Sequence, residues 1–374
     1  MLVQVTHNDL DGYGASTVVS SAVGVDRIVH VTRYADVCPA LESEFERLAS
    51  APEPVEILVS DIAVEAGFAA LASRFDRDHA GGRHRLTVID HHASSLPSLE
   101  QAGLSARDGQ GMTVFWDASS VKAFVDTRTS ATAICAGGVR SLAARHGASP
   151  RPVTPDVLGA LVGAVDAVDL WRRDHPAFPA GEAVNEAFWE VVQTYVPAGH
   201  PDHDGFVGGI LLDLAAVIAA GGGAREVEDA SVGAKRSAVD KLVRASGTVE
   251  DTAQAAMTTR MRAARVVAGS PDLFAEPFEG LRLKVAHALD PGVFQRASDF
   301  ILDAGDAEVV ANVMRGGAMS FRSRQGQALE MAARFGGGGH RDSAGARLDV
   351  PAVFDLPQAV AAMVPVLGRA VTIR

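Results

Sequence analysis

Cysteine is nearly missing from this sequence: among 374 residues only Cys38 and Cys135 carry a thiol. Neither sits in CxxC or similar spacing, which argues against a zinc-thiolate site and against the disulfide framework of small secreted domains, and fits a reducing cytoplasm. Long apolar runs are missing too. No stretch approaches the roughly 18 residues of a membrane span, and the opening MLVQVTHND has neither a basic n-region nor an apolar h-region. The expectation is a soluble, cytoplasmic protein without a membrane partner. Positive charge is scarce as well, with 34 Lys and Arg against 46 Asp and Glu and a formal net charge of -12. This argues against a broad basic surface that coats long duplex nucleic acid. It leaves room for a small phosphate-bearing substrate, because carboxylates gathered in one cleft add to the negative total and are locally reversed by divalent cations. Internal repeats, heptad arrays and low-complexity tails are absent.

What is present suffices for more than one core. Hydrophobic residues make up 47% of the chain, and its length exceeds that of one usual domain. In the first half, short β-prone apolar runs alternate with longer segments of helical period, the pattern of an α/β fold with a mostly parallel sheet. Strands are expected at Leu2 to Thr6, Val55 to Ser60 and Leu86 to Ile89, and helices at Gly14 to Val23, 130–146 and 156–165. Between about 172 and 255 prolines and a Gly221-Gly222-Gly223 break suggest a largely helical connector. From about 280 strand signals return (LRLKVAHAL, AEVVANVM, GAMSFRS), followed by a helix at 326–335 and a glycine loop reaching His340. The expected organisation is therefore an N-terminal α/β domain at 1–172, a connector at 173–255 and a smaller C-terminal α/β domain at 256–374.

The three expected strands end in His7-Asn8-Asp9-Leu10-Asp11-Gly12, in Asp61, and in Asp90-His91-His92. Side chains just beyond the carboxyl ends of parallel strands converge on one crevice. The helix at 156–165 runs into Asp166 and then Asp169, adding a fourth position. Taken singly, an Asp-rich turn ending in Gly is a plain turn, and an Asp after a strand is usually a helix N-cap. Their joint occurrence at the strand ends of one sheet favours a metal site. Carboxylates with one or two imidazoles suit Mn2+ or a similar borderline ion better than Ca2+. Asp61 could bridge two ions and His91 could complete the second. Such a pair stabilises attacking and leaving oxygens in displacement at phosphorus.

In the C-terminal domain four consecutive glycines, Gly336 to Gly339, precede His340. Backbone N–H groups in a loop of this kind form an anion-binding concavity, and Arg322, Ser323, Arg324, Gly338, Gly339 and His340 are its candidate donors. A flexible hinge beside a solvated Arg pair is the plainer reading. Trp116, Trp171 and Trp189 are expected as core or domain-contact residues, and Arg260, Arg262 and Arg265 as a solvated cluster.

These motifs resemble the DHH phosphoesterase superfamily, whose name matches Asp90-His91-His92. His7 to Gly12 resembles its first motif, Ser60-Asp61 its second and the Asp166/Asp169 region its fourth. Ser320 to Arg324, Phe335 to His340 and Ala344-Gly345 resemble the DHH-associated substrate-binding domain. The resemblance implies that His7, Asp9 and Asp61 hold one Mn2+ while Asp11, Asp61, His91 and a fourth-motif Asp hold the other, with Mg2+ or Co2+ as alternatives. Asp166 is the preferred fourth-motif ligand because it ends the apolar run, with Asp169 as its rival. The resemblance further implies that His92 faces the scissile phosphate, that Asp90 orients a ligand, and that the 322–340 set grips a phosphate or nucleotide. The wording of the first motif and the two-domain length look closest to short-oligonucleotide exonucleases. The implied partner is a short single-stranded oligonucleotide or a nucleotide phosphoester, with a homodimer also open. Phosphatases of 3′-phosphoadenosine 5′-phosphate, phosphodiesterases of (cyclic) dinucleotides and a non-catalytic nucleotide sensor are the alternatives.

Overall fold

The computed structural model describes residues 1–101, 107–109, 112–148, 153–248, 256–350 and 352–368, so the expected boundary at residue 255 and the side chain of Trp116 lie outside the described residues. The chain divides into two compact units, Met1–Phe188 with Val207–Ala234, and Trp189–Phe206 with Lys235–Arg374.

The first unit begins β1 (Leu2–His7), α1 (Leu10–Ala22), β2 (Arg27–Val31), α2 (Val37–Leu48), β3 (Glu56–Ser60), α3 (Ala66–Asp78), β4 (Arg85–Asp90) and α4 (Ser95–Gln101). It continues with β5 (Arg107–Gly109), β6 (Met112–Asp117), β7 (Val121–Val125), α5 (Ala131–His146) and α6 (Pro155–Asp169). The sheet order is β2-β1-β3-β4-β7-β6-β5. The first five of these strands run parallel, and β6 and β5 extend the sheet antiparallel. The fold class is thus α/β, as the alternation of strand and helix patterns implies. β1 and β3 are buried along almost their whole length, LVQVTH and EILVS, because a parallel sheet is covered on both faces. On one face Leu41, Phe68, Phe75 and Leu99 of α2, α3 and α4 form a core with Val3, Val5, Ile57, Val59 and Val88. Helices α1, α5 and α6 pack on one another.

The order β2-β1-β3 places the topological switch between β1 and β3: the chain leaves β1 to one side and later returns on the other. Connections diverge there, opening a crevice at the carboxyl ends of β1 and β3.

Residues 173–248 are largely helical, with α7 (Phe178–Val191), α8 (His203–Ala219) and α9 (Ala224–Ala245), and they are shared between the two units. The second unit continues with α10 (Thr259–Ala268), β8 (Leu283–His287), α11 (Pro291–Asp303), β9 (Val309–Val313), β10 (Ala318–Ser323), α12 (Gln327–Arg334), β11 (Gly338–His340), β12 (Ser343–Arg347) and α13 (Leu356–Leu367). Its sheet runs β11-β12-β10-β9-β8, with only β8 and β9 parallel. Strand alternation splits its core. Val285, Val309 and Ala311 face Met331 and Met363, while Ala286 and Val310 face Phe294 and Ile301. Among the described residues no helix is long and apolar enough to cross a membrane.

Candidate metal centre

The crevice at the β1/β3 switch gathers its donors from β1, α1, the ends of β3 and β4, and α6. His7 is the last residue of β1, and Asp9 is the N-cap of α1, its Oδ1 accepting from the Gly12 amide at 3.0 Å. The other Asp9 oxygen lies 2.6 Å from His7 Nδ1. One carboxylate therefore starts the helix through one oxygen and meets His7 through the other. Gly12 is required by close approach, because a Cβ there would be driven into the His7 carbonyl. That contact lets α1 begin directly against the end of β1.

Asp11, in the first turn of α1, is 2% exposed. Its oxygens accept from the amides of Thr132 (2.9 Å) and Ala131 (2.8 Å), so it also caps the N-terminus of α5. Asp61 follows β3 with φ at +57°, a left-handed conformation that Asp and Asn tolerate better than other side-chain-bearing residues. Its amide donates to Ile89 O at 3.1 Å, its residue is 2% exposed, and its Oδ2 has no hydrogen-bond partner. After β4, His91 Nε2 lies 3.3 Å from Asp61, 3.5 Å from Asp169 and 3.6 Å from Asp11. His92 turns the other way: its Nδ1 is 2.7 Å from Asp90 Oδ1. The second Asp90 oxygen accepts from the Ser95 hydroxyl, which itself accepts from the Val64 amide at 2.7 Å.

The structure departs from the expectation that Asp166 supplies the fourth position. α6 does not stop at 165 but continues through Asp169. Asp166 is occupied by the Thr129 hydroxyl and Ser130 amide, both at 2.7 Å, and by the Arg172 guanidinium. Asp169, one turn later, reaches His91.

Three donor groups result: His7, Asp9 and Asp61; Asp11, His91 and Asp169; and Asp61, His91 and His92, with the donor atoms of each within 4.8 Å of one another. Asp61 and His91 each belong to two groups and link them. The electrostatics show four carboxylates crowded together, with His7 answering mainly Asp9. Burial, then the charges of Asp11 and Asp9, push Asp61 well above the usual carboxylate range and Asp169 up to about 7. Burial also raises Asp11. Burial would raise Asp9 as well, but the His7 hydrogen bond and charge overcome it and hold Asp9 at about 2. Burial lowers His91, keeping its imidazole neutral and able to ligate. Burial opposes protonation of His92, but the Asp90 hydrogen bond and charge outweigh it and raise the imidazole. A buried carboxylate oxygen with no hydrogen-bond donor, at the junction of two His/Asp groups, suits metal cations, which would supply the missing partner and relieve the mutual repulsion.

The expected set in the second unit is differently disposed. Arg322 on β10 donates to Phe321 O at 2.9 Å and lies over the Phe294 ring at 5.6 Å. Ser323 donates to Asp342 at 2.8 Å and accepts from the Ala328 amide at 3.0 Å, fastening the start of α12. Arg324 is held by Asp303 at 2.8 Å and Asp299 at 3.0 Å on α11. The stretch expected as a loop is in part a strand, since Gly338–His340 pair with β12 as β11. Two of its glycines answer to sterics: a Cβ on Gly337 would enter the Gly345 carbonyl, and Gly339 has φ at +143° with Ala344 Cα 2.8 Å from where its Cβ would be. Gly338, Gly339 and His340 are exposed.

Sequence reasoning passed over Ser95, which carries Asp90 and contacts Val64 far from it in the chain, and Tyr34, which follows β2. A fourth β-prone run, RIVHV, was the available signal for the latter. Trp171, expected in the core or at a domain contact, is 62% exposed with φ at +52°, its ring edge-on to Phe178 at 5.3 Å. Trp189 is exposed as well. In the Arg cluster, Arg262 pairs with Asp240 at 2.6 Å and Arg260 lies over Tyr195 at 5.2 Å.

No protein-family model matches the sequence, and a search of curated proteins gave no match. Among solved structures, an uncharacterized protein from Helicobacter pylori G27 superimposes with a TM-score of 0.75 at 17% identity, covering 99% of each chain, which shows a shared fold. A pGpG-specific phosphodiesterase, PggH, from Vibrio cholerae aligns over 98% of each chain at 12% identity with a TM-score of 0.26, too loose a superposition to carry an argument.

Proposed function

We propose that this protein is a two-metal phosphoesterase that hydrolyses the phosphodiester bonds of short oligonucleotides in the cytoplasm. One observation carries the reading: the buried Asp61 oxygen left without a hydrogen-bond partner between the His7/Asp9 and Asp11/His91/Asp169 groups. The motif resemblance to DHH phosphoesterases supports the same chemistry.

In this reading His7, Asp9 and Asp61 hold one ion, and Asp11, Asp61, His91 and Asp169 the other. The mixed carboxylate and imidazole set favours Mn2+, with Mg2+ or Co2+ as substitutes. Two divalent ions bound there acidify water and neutralise charge at phosphorus. The chain's own residues do the rest. His92, whose affinity for a proton Asp90 raises through Nδ1, would use its other ring nitrogen as a donor to the phosphate or to the leaving oxygen. Ser95 and Val64 fix Asp90, and with it the ring. His91, neutral, contributes a lone pair instead of a proton. In the second unit, the Arg322 guanidinium, the exposed β11 backbone and His340 offer donors to a nucleotide phosphate; Ser323 and Arg324 serve there by holding α12 and α11 in place. A homodimer belongs to the same proposal.

Purified protein should shorten 5′-labelled di- to pentaribonucleotides in the presence of Mn2+, with mononucleotides as products on chromatography. EDTA should stop the reaction. Inactivity on every length would refute the assignment, and faster turnover of 3′-phosphoadenosine 5′-phosphate than of dinucleotides would move the substrate to a nucleotide monoester.

A further inference from the structure

The metal centre has an aromatic neighbour with no structural duty that accounts for it. β2 runs parallel to β1 with His7 opposite Val31, so the chain leaving β2 emerges beside the same crevice. The Asn8 amide ties the two strand ends together through Val31 O at 3.1 Å. A 3-10 turn follows, Tyr34–Asp36, closed by a bidentate ion pair in which Arg33 Nε and Nη2 each lie 3.2 Å from Asp36. This braced turn sets the Tyr34 ring nearly parallel to His7, 14° apart with centroids at 6.1 Å. The same ring stands edge-on to His92, at 90° and 6.5 Å. Tyr34 is nonetheless 41% exposed.

An aromatic ring on a turn closed by an ion pair, bordering the imidazoles of His7 and His92 and open to solvent, has the attributes of a stacking platform. Packing alone would bury it, and solubility alone would put a charged residue there. A nucleobase stands one ribose away from its 5′-phosphate, so a phosphate on the cluster would bring the base to the rim that Tyr34 occupies. We propose that Tyr34 stacks on the nucleobase of the nucleotide whose phosphate is bound at the metal centre, and so selects nucleotides over phosphoesters that lack a base. This rests on the phosphate-binding reading of that centre. The platform tolerates any base, because every base presents a π-face, and it makes Tyr34 a specificity-determining residue without a part in bond breaking.

The test measures binding, independently of turnover. Titration calorimetry on the Mn2+-loaded protein compares adenosine 5′-monophosphate with ribose 5-phosphate, which carries the same phosphate and sugar without a base. The wild type should prefer the nucleotide by about 5- to 150-fold, the range of one base–aromatic stack. Tyr34→Leu should lose that preference while binding ribose 5-phosphate as before, and Tyr34→Phe should keep it. Preference retained in Tyr34→Leu, or absent from the wild type, overturns the proposal. Equal weakening of both ligands also overturns it, since Tyr34 would then act only by supporting His7 and His92. A protein that shows the Tyr34-dependent preference but hydrolyses no phosphoester refutes the enzymatic reading and leaves this one standing. An active enzyme indifferent to Tyr34 does the reverse.

Discussion

Replacing Asp61 by Asn should stabilise the metal-free protein and abolish its response to manganese, two effects of opposite sign from one oxygen. The backbone permits the change, because Asn tolerates the +57° φ as Asp does. Donor oxygens of Asp61 and Asp9 lie within 4.8 Å of each other. Two full charges at that separation repel by about 3.5 kcal/mol at an effective dielectric near 20. Burial and the charges of Asp11 and Asp9 hold Asp61 well above the ordinary carboxylate range, so proton uptake relieves part of that repulsion. The gain from Asn is therefore on the order of 1–3 kcal/mol. For a unit of roughly 200 residues this raises the melting temperature by about 2–12 °C. Saturating Mn2+ should work in the other direction of comparison: at about 100 times the dissociation constant, one bound ion stabilises the wild type by about 2.7 kcal/mol. The corresponding shift is about 5–11 °C for the wild type, and the variant should show little of it. The assay is thermal unfolding by circular dichroism on EDTA-treated and Mn2+-loaded samples of both proteins. A variant less stable than the wild type without metal, or one that responds to Mn2+ as strongly, would refute the claim that Asp61 is a charge waiting for a cation.

Four further outcomes follow from the same geometry. Asp169→Asn should lower bound manganese, measured by atomic emission after dialysis, whereas Asp166→Asn should keep the metal and lose stability through the freed Arg172 and Ser130. Stability of the EDTA-treated protein should fall as pH rises: a neutral Asp169 contributes fully below about 4, its unfolded value, and that contribution is lost as pH passes through its folded value of about 7. Melting curves from pH 4 to 8 check the sign, and a rise across that window would contradict it. Ser95→Ala should cut kcat by about 10-fold or more while leaving metal content unchanged, since it loosens Asp90 and His92 without removing a donor. Phe321→Ala, deep in the second core against Phe335, should cost about 3–5 kcal/mol in urea unfolding without changing metal content.

The parts of the centre written in continuous local patterns were legible in the sequence. Val55 to Ser60 and Leu86 to Ile89 are apolar runs that a buried parallel strand demands, and the polar residues after them had to fall at strand ends. β2 was harder because RIVHV is only half-buried at the sheet edge, and without β2 there was no reason to look at Tyr34. The choice between Asp166 and Asp169 turned on where α6 stops, and helix ends are set by tertiary partners. Arg172 and the start of α5 claim Asp166, and neither was visible from local spacing. In the second unit the four glycines read as an open loop, but the run is in part strand β11, and Gly337 and Gly339 answer to the close passage of β12, which local spacing does not show.

The distribution of the donors has a consequence for how the protein is made. His7, Asp61 and His91 come from three separate strand–helix junctions and Asp169 from the end of α6, and no pair of adjacent elements brings together a full ligand set. In the unfolded chain they are strangers, so affinity for a divalent ion arises only once β1, β3, β4 and α6 are all in place, a set of long-range pairings that form slowly. Until then the carboxylates repel without compensation. Metal capture should therefore be the closing event of folding, and a bound ion a certificate that the sheet above it has been assembled in the right order.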